Sequence, residues 1–123
     1  MPRIHLSGVY QQNGNSYHIS GEIILQEQPF QRQKIIGRIT DERGYEKDID
    51  GLIELIENGR RLHFVTSDSQ NNPEISYDLI NPREEINGVY VGNWHLAKNP
   101  HRIGTAVVSL NLINSQTSQE AKQ

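Results

Sequence analysis

The sequence predicts an all-β chain folded as an eight-stranded antiparallel up-and-down (meander) β-barrel. Three observations carry this. Short runs of alternating apolar and polar residues recur along the chain, separated by turn residues, at the spacing of a barrel or sandwich. Every connection is short, whereas parallel strands need crossovers of about a dozen residues, so neighbouring strands must run antiparallel. Glycines recur near mid-strand on the same face as the bulky apolar residues, as in Ile19, Gly21, Ile23 and Ile35, Gly37, Ile39. Glycine weakens a strand, so its repetition calls for strong bending or close backbone approach, and a small closed barrel needs both.

In chain order the runs are Arg3 to Gln11, Ser16 to Gln26, Gln33 to Thr40, Tyr45 to Ile56, Arg60 to Ser67, Glu74 to Ile80, Glu85 to Leu96 and Arg102 to Leu112. Asn13-Gly14 marks the first hairpin, and Asn58-Gly59 is a stronger type I′ signal because both residues tolerate positive φ. Asp41 to Gly44 reads as a type I turn closed by a left-handed glycine, and Asn81-Pro82 opens another reversal. In a meander the loops at 11 to 15, 41 to 44, 67 to 73 and 97 to 101 gather at one rim, and they read as the longer ones. Residues 1 to 113 form one barrel domain, and 114 to 123, NSQTSQEAKQ, form a polar, patternless tail.

At 123 residues the chain has room for one core. It has no cysteine, which excludes disulfides and thiolate chemistry and makes the cytoplasm its expected location. The opening MPRIHLSGVY lacks a signal-peptide apolar run, and no segment approaches the roughly 20 apolar residues of a membrane span, so no membrane partner is expected. A formal charge of -3 offers no field for a phosphate backbone, so nucleic acid is not an expected partner either.

The run GRITDERGYEKDIDGLIELIENGRRLHFVTSDSQNNPEISYDLI, followed by INGVYVGNWHL and a glycine strand, resembles the small avidin-like or calycin-like β-barrel domains of unknown function. The matching positions are Gly37, Asp41, Gly44, Gly51, Phe64, Tyr77, Gly88, Tyr90, Trp94 and Gly104, within residues 4 to 112. The resemblance implies an avidin/lipocalin-like barrel rather than an activity. Biotin binding does not carry over, because the avidin ligand shell is rich in tryptophan and this chain has one. The lipocalin Gly-x-Trp is also missing, since Gly8-Val9-Tyr10 places tyrosine there. The interior arginines of fatty-acid carriers have no evident counterpart.

Five histidines raise a metal reading, but His5, His18, His63 and His95 fall on the outer face and no pair has i, i+2 spacing, so neither a metal nor a cofactor is expected. The acids Asp41, Glu42, Glu46, Asp48, Asp50, Glu54 and Glu57 lack the order of a calcium loop and read as a solvated face opposite Arg38, Arg60 and Arg61. No GxSxG, P-loop, GxGxxG or HExxH occurs, and no residue is nominated as catalytic.

What remains is aromatic. Tyr10, Tyr17, Tyr77, Tyr90 and Trp94, with Phe64, fall mostly on the inward face near one rim, and the first five are the candidate ligand-binding residues, over an aliphatic floor of Ile19, Ile39, Ile53 and Leu79. The outer face carries a second signal: Val9, Ile24, Ile36, Leu52, Ile56, Val65, Ile80, Val89, Val91 and Val107 are too many for scattered exposure. Leu52, Val65, Val89, Val91 and Val107 are the candidate face for a homodimer or higher homo-oligomer. The expectation is a non-catalytic binding or interaction module with a small apolar ligand at one rim. Two alternatives stay open: a barrel isomerase or cyclase acting on a lipid-like substrate, and an assembly domain with a filled core.

Overall fold

The computed structural model describes residues 2–26 and 32–113; the tail expected at 114–123 lies outside them. Eight strands follow one another: β1 (Arg3–Gln12), β2 (Asn15–Leu25), β3 (Arg32–Asp41), β4 (Glu46–Ile56), β5 (Gly59–Ser67), β6 (Pro73–Asn81), β7 (Gly88–Leu96) and β8 (Asn99–Ile113). Each pairs antiparallel with the next, and β8 returns to pair with β1, which closes the barrel. Closure removes the unpaired edges that an open meander would expose. No helix among the described residues is long and apolar enough to cross a membrane, which says nothing of a membrane barrel.

Period-two alternation sends one face of every strand inward. Ile4, Leu6, Ile19, Ile23, Ile35, Ile39, Ile49, Ile53, Leu62, Phe64, Leu79, Val108 and Leu110 fill the interior with Tyr77, Tyr90 and Trp94, all at most 4% exposed. Full burial of each aliphatic side chain contributes about 1.5–3 kcal/mol before entropy is charged. The glycines interleave with this set across the sheet. Gly51 stands between Ile35 on β3 and Phe64 on β5, and a Cβ there would lie 2.1 Å from the His63 carbonyl oxygen. Gly104 faces Trp94, and a Cβ there would lie 2.5 Å from the indole nitrogen. The glycines make room for bulky cross-strand neighbours, and this lets the sheet coil into a narrow barrel.

The turns reverse the expected ranking of the two hairpin signals. Asn13 and Gly14 have φ of 53° and 80°, the two positive values a type I′ turn requires, and Gln12 pairs with Asn15. At the other hairpin Ile56 pairs with Gly59, so the turn residues are Glu57 and Asn58, and only Gly59 has positive φ. Gly59 is needed for contact instead: a Cβ on it would lie 2.1 Å from the Asn81 carbonyl oxygen. The expected turn at Asp41 to Gly44 is present, with the Gly44 N–H donating to the Asp41 carbonyl at 2.9 Å and Gly44 at φ 85°.

Three expectations are corrected. Arg60 does not face the acids outside; it follows the alternation of Leu62 and Phe64 inward and is 5% exposed. Asp41 shares the inward face of Ile39 rather than the outer acidic face, and its side chain is 9% exposed. Residues 85–87 are not strand, because the connection 82–87 folds inward over the barrel end opposite Asn13-Gly14, and it is longer than any described connection on the Asn13-Gly14 side.

Candidate functional site

The connections 13–14, 42–45, 68–72 and 97–98 gather at one end of the barrel, which we call the mouth. Two of them are organised by an aspartate. Asp41 Oδ1 accepts from the Arg43 and Tyr45 N–H groups at 2.9 and 3.1 Å. Asp68 Oδ1 accepts from the Gln70 and Asn72 N–H groups, both at 2.9 Å. Such Asx-type bonding fixes a short loop without a core of its own. A cavity of about 590 Å³ lies at this end, lined by Tyr10, Tyr17, Ile75, Pro73 and Leu96 together with loop residues. That volume falls within the usual range of small-molecule pockets, about 300–1,000 Å³.

The wall is aromatic and ordered by the register. Tyr10 and Tyr17 are direct cross-strand partners, with ring centroids 5.3 Å apart and planes 25° from parallel. Tyr10 meets Tyr77 and Trp94 edge-on at 6.3 and 5.8 Å. Tyr77 stacks on Phe64 at 4.5 Å. Below the mouth lies a second cavity of about 40 Å³, lined by Tyr77, Thr66, Ile19, Ile39 and Lys47, which shares Tyr10, Asp41 and Glu74 with the larger one. Space of that size suits one water or one small polar group.

Two ion pairs stand at the mouth. Lys47 Nζ donates to Glu74 Oε1 at 2.5 Å, and Arg43 Nη2 donates to Asp41 Oδ2 at 2.8 Å. Burial pushes the Asp41 carboxyl up, but the Arg43 guanidinium and the backbone N–H groups outweigh it and hold it below the usual carboxylate range. Burial raises the Tyr10 phenol, with Arg43 pulling the other way. Burial raises Tyr77 far more, so it remains a neutral hydrogen-bond donor at every physiological pH. No described residue hydrogen-bonds its hydroxyl.

The candidate ligand residues therefore divide. Tyr10 and Tyr17 line the mouth, and Tyr77 lines the small cavity beneath it. Trp94 stands behind them, 2% exposed, its Nε1–H donating to the Gln11 carbonyl at 2.8 Å. Tyr90 is at the opposite end. Of the floor residues, Ile19 and Ile39 border the small cavity. The charged pairs were missed in the sequence. The alternation does place Asp41 beside Ile39 and Lys47 beside Ile49 on the inward face, whereas Glu74 enters the mouth where the β5–β6 register shifts between Thr66 and Ser67, an irregularity without a sequence signature.

At the opposite end the connection 82–87 closes the barrel. The Tyr90 hydroxyl donates to the Ile86 carbonyl at 2.7 Å, Asn81 Nδ2 to the Glu85 carbonyl at 3.2 Å, and the Arg83 N–H to Asn81 Oδ1 at 3.1 Å. Arg60 Nε donates to the Glu84 carbonyl, and its buried Nη1 has no partner among the described residues.

On the outer face, Val9, Val107, Val91 and Ile80 form one continuous cross-strand row over β1, β8, β7 and β6. Val89 lies on the same outer face of β7, two residues from Val91. Val89, Val91, Val107 and Ile80 are all more than two-fifths exposed. Leu52 and Val65 stand apart, Leu52 between Lys34 and His63 and Val65 between Asp50 and Ser76. His5, His18, His63 and His95 fall on the outer face, as the alternation indicates.

No protein-family model matches the sequence. No curated protein matches it either. The fold is similar to that of a redesigned β-barrel, mFAP1, bound to DFHBI, with a TM-score of 0.62 and 9% identity over 89% of this chain and 92% of that one. It is similar also to EF1p2_mFAP2b bound to DFHBI, with a TM-score of 0.65 and 8% identity over 89% of this chain and 90% of the other. At such identity the likeness establishes a closed eight-stranded barrel and no more.

Proposed function

We propose that the protein is a non-catalytic binding module that holds a small, largely apolar molecule at the mouth of its barrel. The observation that carries this reading is the cavity of about 590 Å³ walled by the Tyr10–Tyr17 stack. Three features support it over the alternatives. Below the small cavity the interior is packed, so the mouth is where a ligand has room. Its most enclosed charges are paired within the protein, Lys47 with Glu74 and Asp41 with Arg43, which leaves no poised base for an isomerase or cyclase. Both structural neighbours are barrels bound to a small ligand, DFHBI.

The avidin-like or calycin-like family and a cytoplasmic setting are part of this proposal, resting on the glycine and aromatic positions and on the absence of cysteine. So are a single domain over 1–113 and a separate tail. The row from Val9 to Ile80, with Val89, is proposed as the face that meets a second copy of the chain, because it gathers exposed apolar side chains into one contiguous patch and a two-fold pair uses the same patch on both copies.

Native mass spectrometry of freshly purified protein tests both parts in one measurement. A retained small molecule and an even subunit count are expected. A strict monomer at micromolar concentration removes the second copy. Ligand-free protein whose Trp94 emission is unchanged by millimolar small aromatics, DFHBI included, removes the binding module.

A further inference from the structure

The mouth has a chemical polarity that narrows what it takes. The Tyr77 ring is 1% exposed, is fixed on Phe64, and carries a hydroxyl that no described residue satisfies. Among the described residues only Arg60 Nη1 and His63 Nδ1 are fully buried without a partner, so the Tyr77 hydroxyl reaches cavity space, where water or a ligand can meet it. Tyr77 lines a cavity of about 40 Å³ that opens, through the shared residues Tyr10, Asp41 and Glu74, to the larger cavity above. Of the other side chains around this space, the charged ones are in ion pairs and Thr66 Oγ1 donates to the Ile75 carbonyl, which leaves the Tyr10 hydroxyl as the second polar group open to it.

We infer that the mouth selects a neutral, planar aromatic ligand that inserts a hydrogen-bond acceptor, such as a carbonyl, into the small cavity to take the Tyr77 hydroxyl's hydrogen bond. This rests on the binding reading above. Planarity is inferred from the wall, where the stacked Tyr10 and Tyr17 rings line the space and flat π systems pair with aromatic side chains in offset or edge-to-face geometry. Neutrality follows from the charges. An incoming anion meets four carboxylates, Asp41, Glu42, Asp68 and Glu74, against Lys98 and the Arg43 and Lys47 cations that Asp41 and Glu74 engage. An incoming cation must draw Glu74 or Asp41 from its ion-pair partner, or Glu42 or Asp68 from the backbone N–H groups that they accept. A neutral acceptor asks for no such rearrangement and meets a donor that is otherwise unused.

Three probes of similar size separate the possibilities: coumarin, which is planar and neutral with a carbonyl; naphthalene, which lacks an acceptor; and coumarin-3-carboxylate, which is anionic. Binding to the full chain is measured by ligand-observed NMR or Trp94 fluorescence, with circular dichroism confirming that each variant is folded. Coumarin is expected to bind roughly fivefold to tenfold more tightly than naphthalene, the worth of one neutral hydrogen bond. Tyr77→Phe should erase that difference and leave naphthalene unchanged, and Tyr10→Leu should weaken both. If coumarin and naphthalene bind alike and Tyr77→Phe changes neither, the acceptor inference fails while the binding module stands. Tightest binding by coumarin-3-carboxylate overturns the neutral ligand. If none of the three binds at millimolar concentration, the inference and the reading beneath it fail together.

Discussion

The two ends of this barrel face the same problem and solve it differently. Each carries buried polar groups at the limits of its strands. At the closed end, the connection 82–87 turns inward and its backbone meets Asn81, Tyr90 and Arg60 Nε, while Arg60 Nη1 keeps no partner among the described residues. At the mouth, the connections 42–45 and 68–72 bond to Asp41 and Asp68 beside them, and no described residue bonds the Tyr77 hydroxyl. The difference teaches that a tyrosine pointing into a barrel is structural or available according to whether the nearest loop can fold back over it. Loop reach, rather than residue type, decides which end is a plug and which is a pocket.

The comparison can be broken most sharply at its glycines. Gly59→Ala at the closed end adds a Cβ 2.1 Å from the Asn81 carbonyl oxygen at a φ of 145°. It should cost about 3 kcal/mol in a denaturant melt. Gly14→Ala at the mouth turn meets no atom within 4 Å and retains only the strain of φ 80°, so about 1 kcal/mol is expected. Equal losses would mean that the closed end is no tighter than the mouth.

Next in size, Trp94→Phe removes the bond to the Gln11 carbonyl and part of a core side chain, and should cost about 2 kcal/mol. An unchanged melting temperature would mean that the indole is not a core element. The pair Tyr90→Phe and Tyr77→Phe then isolates the hydroxyls. Loss of the Tyr90 bond to Ile86 leaves a buried carbonyl unmet and should cost about 1–2 kcal/mol, whereas Tyr77→Phe should be neutral or slightly stabilising. A Tyr77→Phe loss as large as that of Tyr90→Phe would show that the mouth hydroxyl is satisfied after all.

The smallest effect is set by pH. Asp41 is held below the usual carboxylate range in the folded chain, so its contribution is complete above the unfolded value and disappears as pH falls through the lower, folded one. Amide exchange in residues 41–45 should therefore speed up below about pH 4 while exchange in 82–87, bonded without carboxylates, does not. Simultaneous loosening of both would remove this distinction between the ends.

Much of the fold was readable because it rests on period two. The inward set, the outer histidines and the glycines beside bulky residues all follow from alternation, and the short connections force a meander. Two charged residues were misread by residue type, since Asp41 at the mouth and Arg60 at the closed end look like surface groups unless alternation is trusted over polarity. Glu74 depends on a local register shift and Tyr90 on a loop folding over it, and both are tertiary outcomes that no neighbouring residues announce. The candidate ligand set was therefore part pocket, part core and part plug.

The bond from Trp94 to Gln11 spans 83 positions and reaches from β7 over Gly104 of β8 to β1. It can form only after the first and last strands have met. Hairpins between successive strands close locally, whereas the β1–β8 seam carries the largest loop-closure entropy in the chain. In a refolding experiment the single indole should therefore acquire its native emission in the slowest phase, later than the bulk β-sheet signal, and so act as a built-in clock for the sealing of the seam.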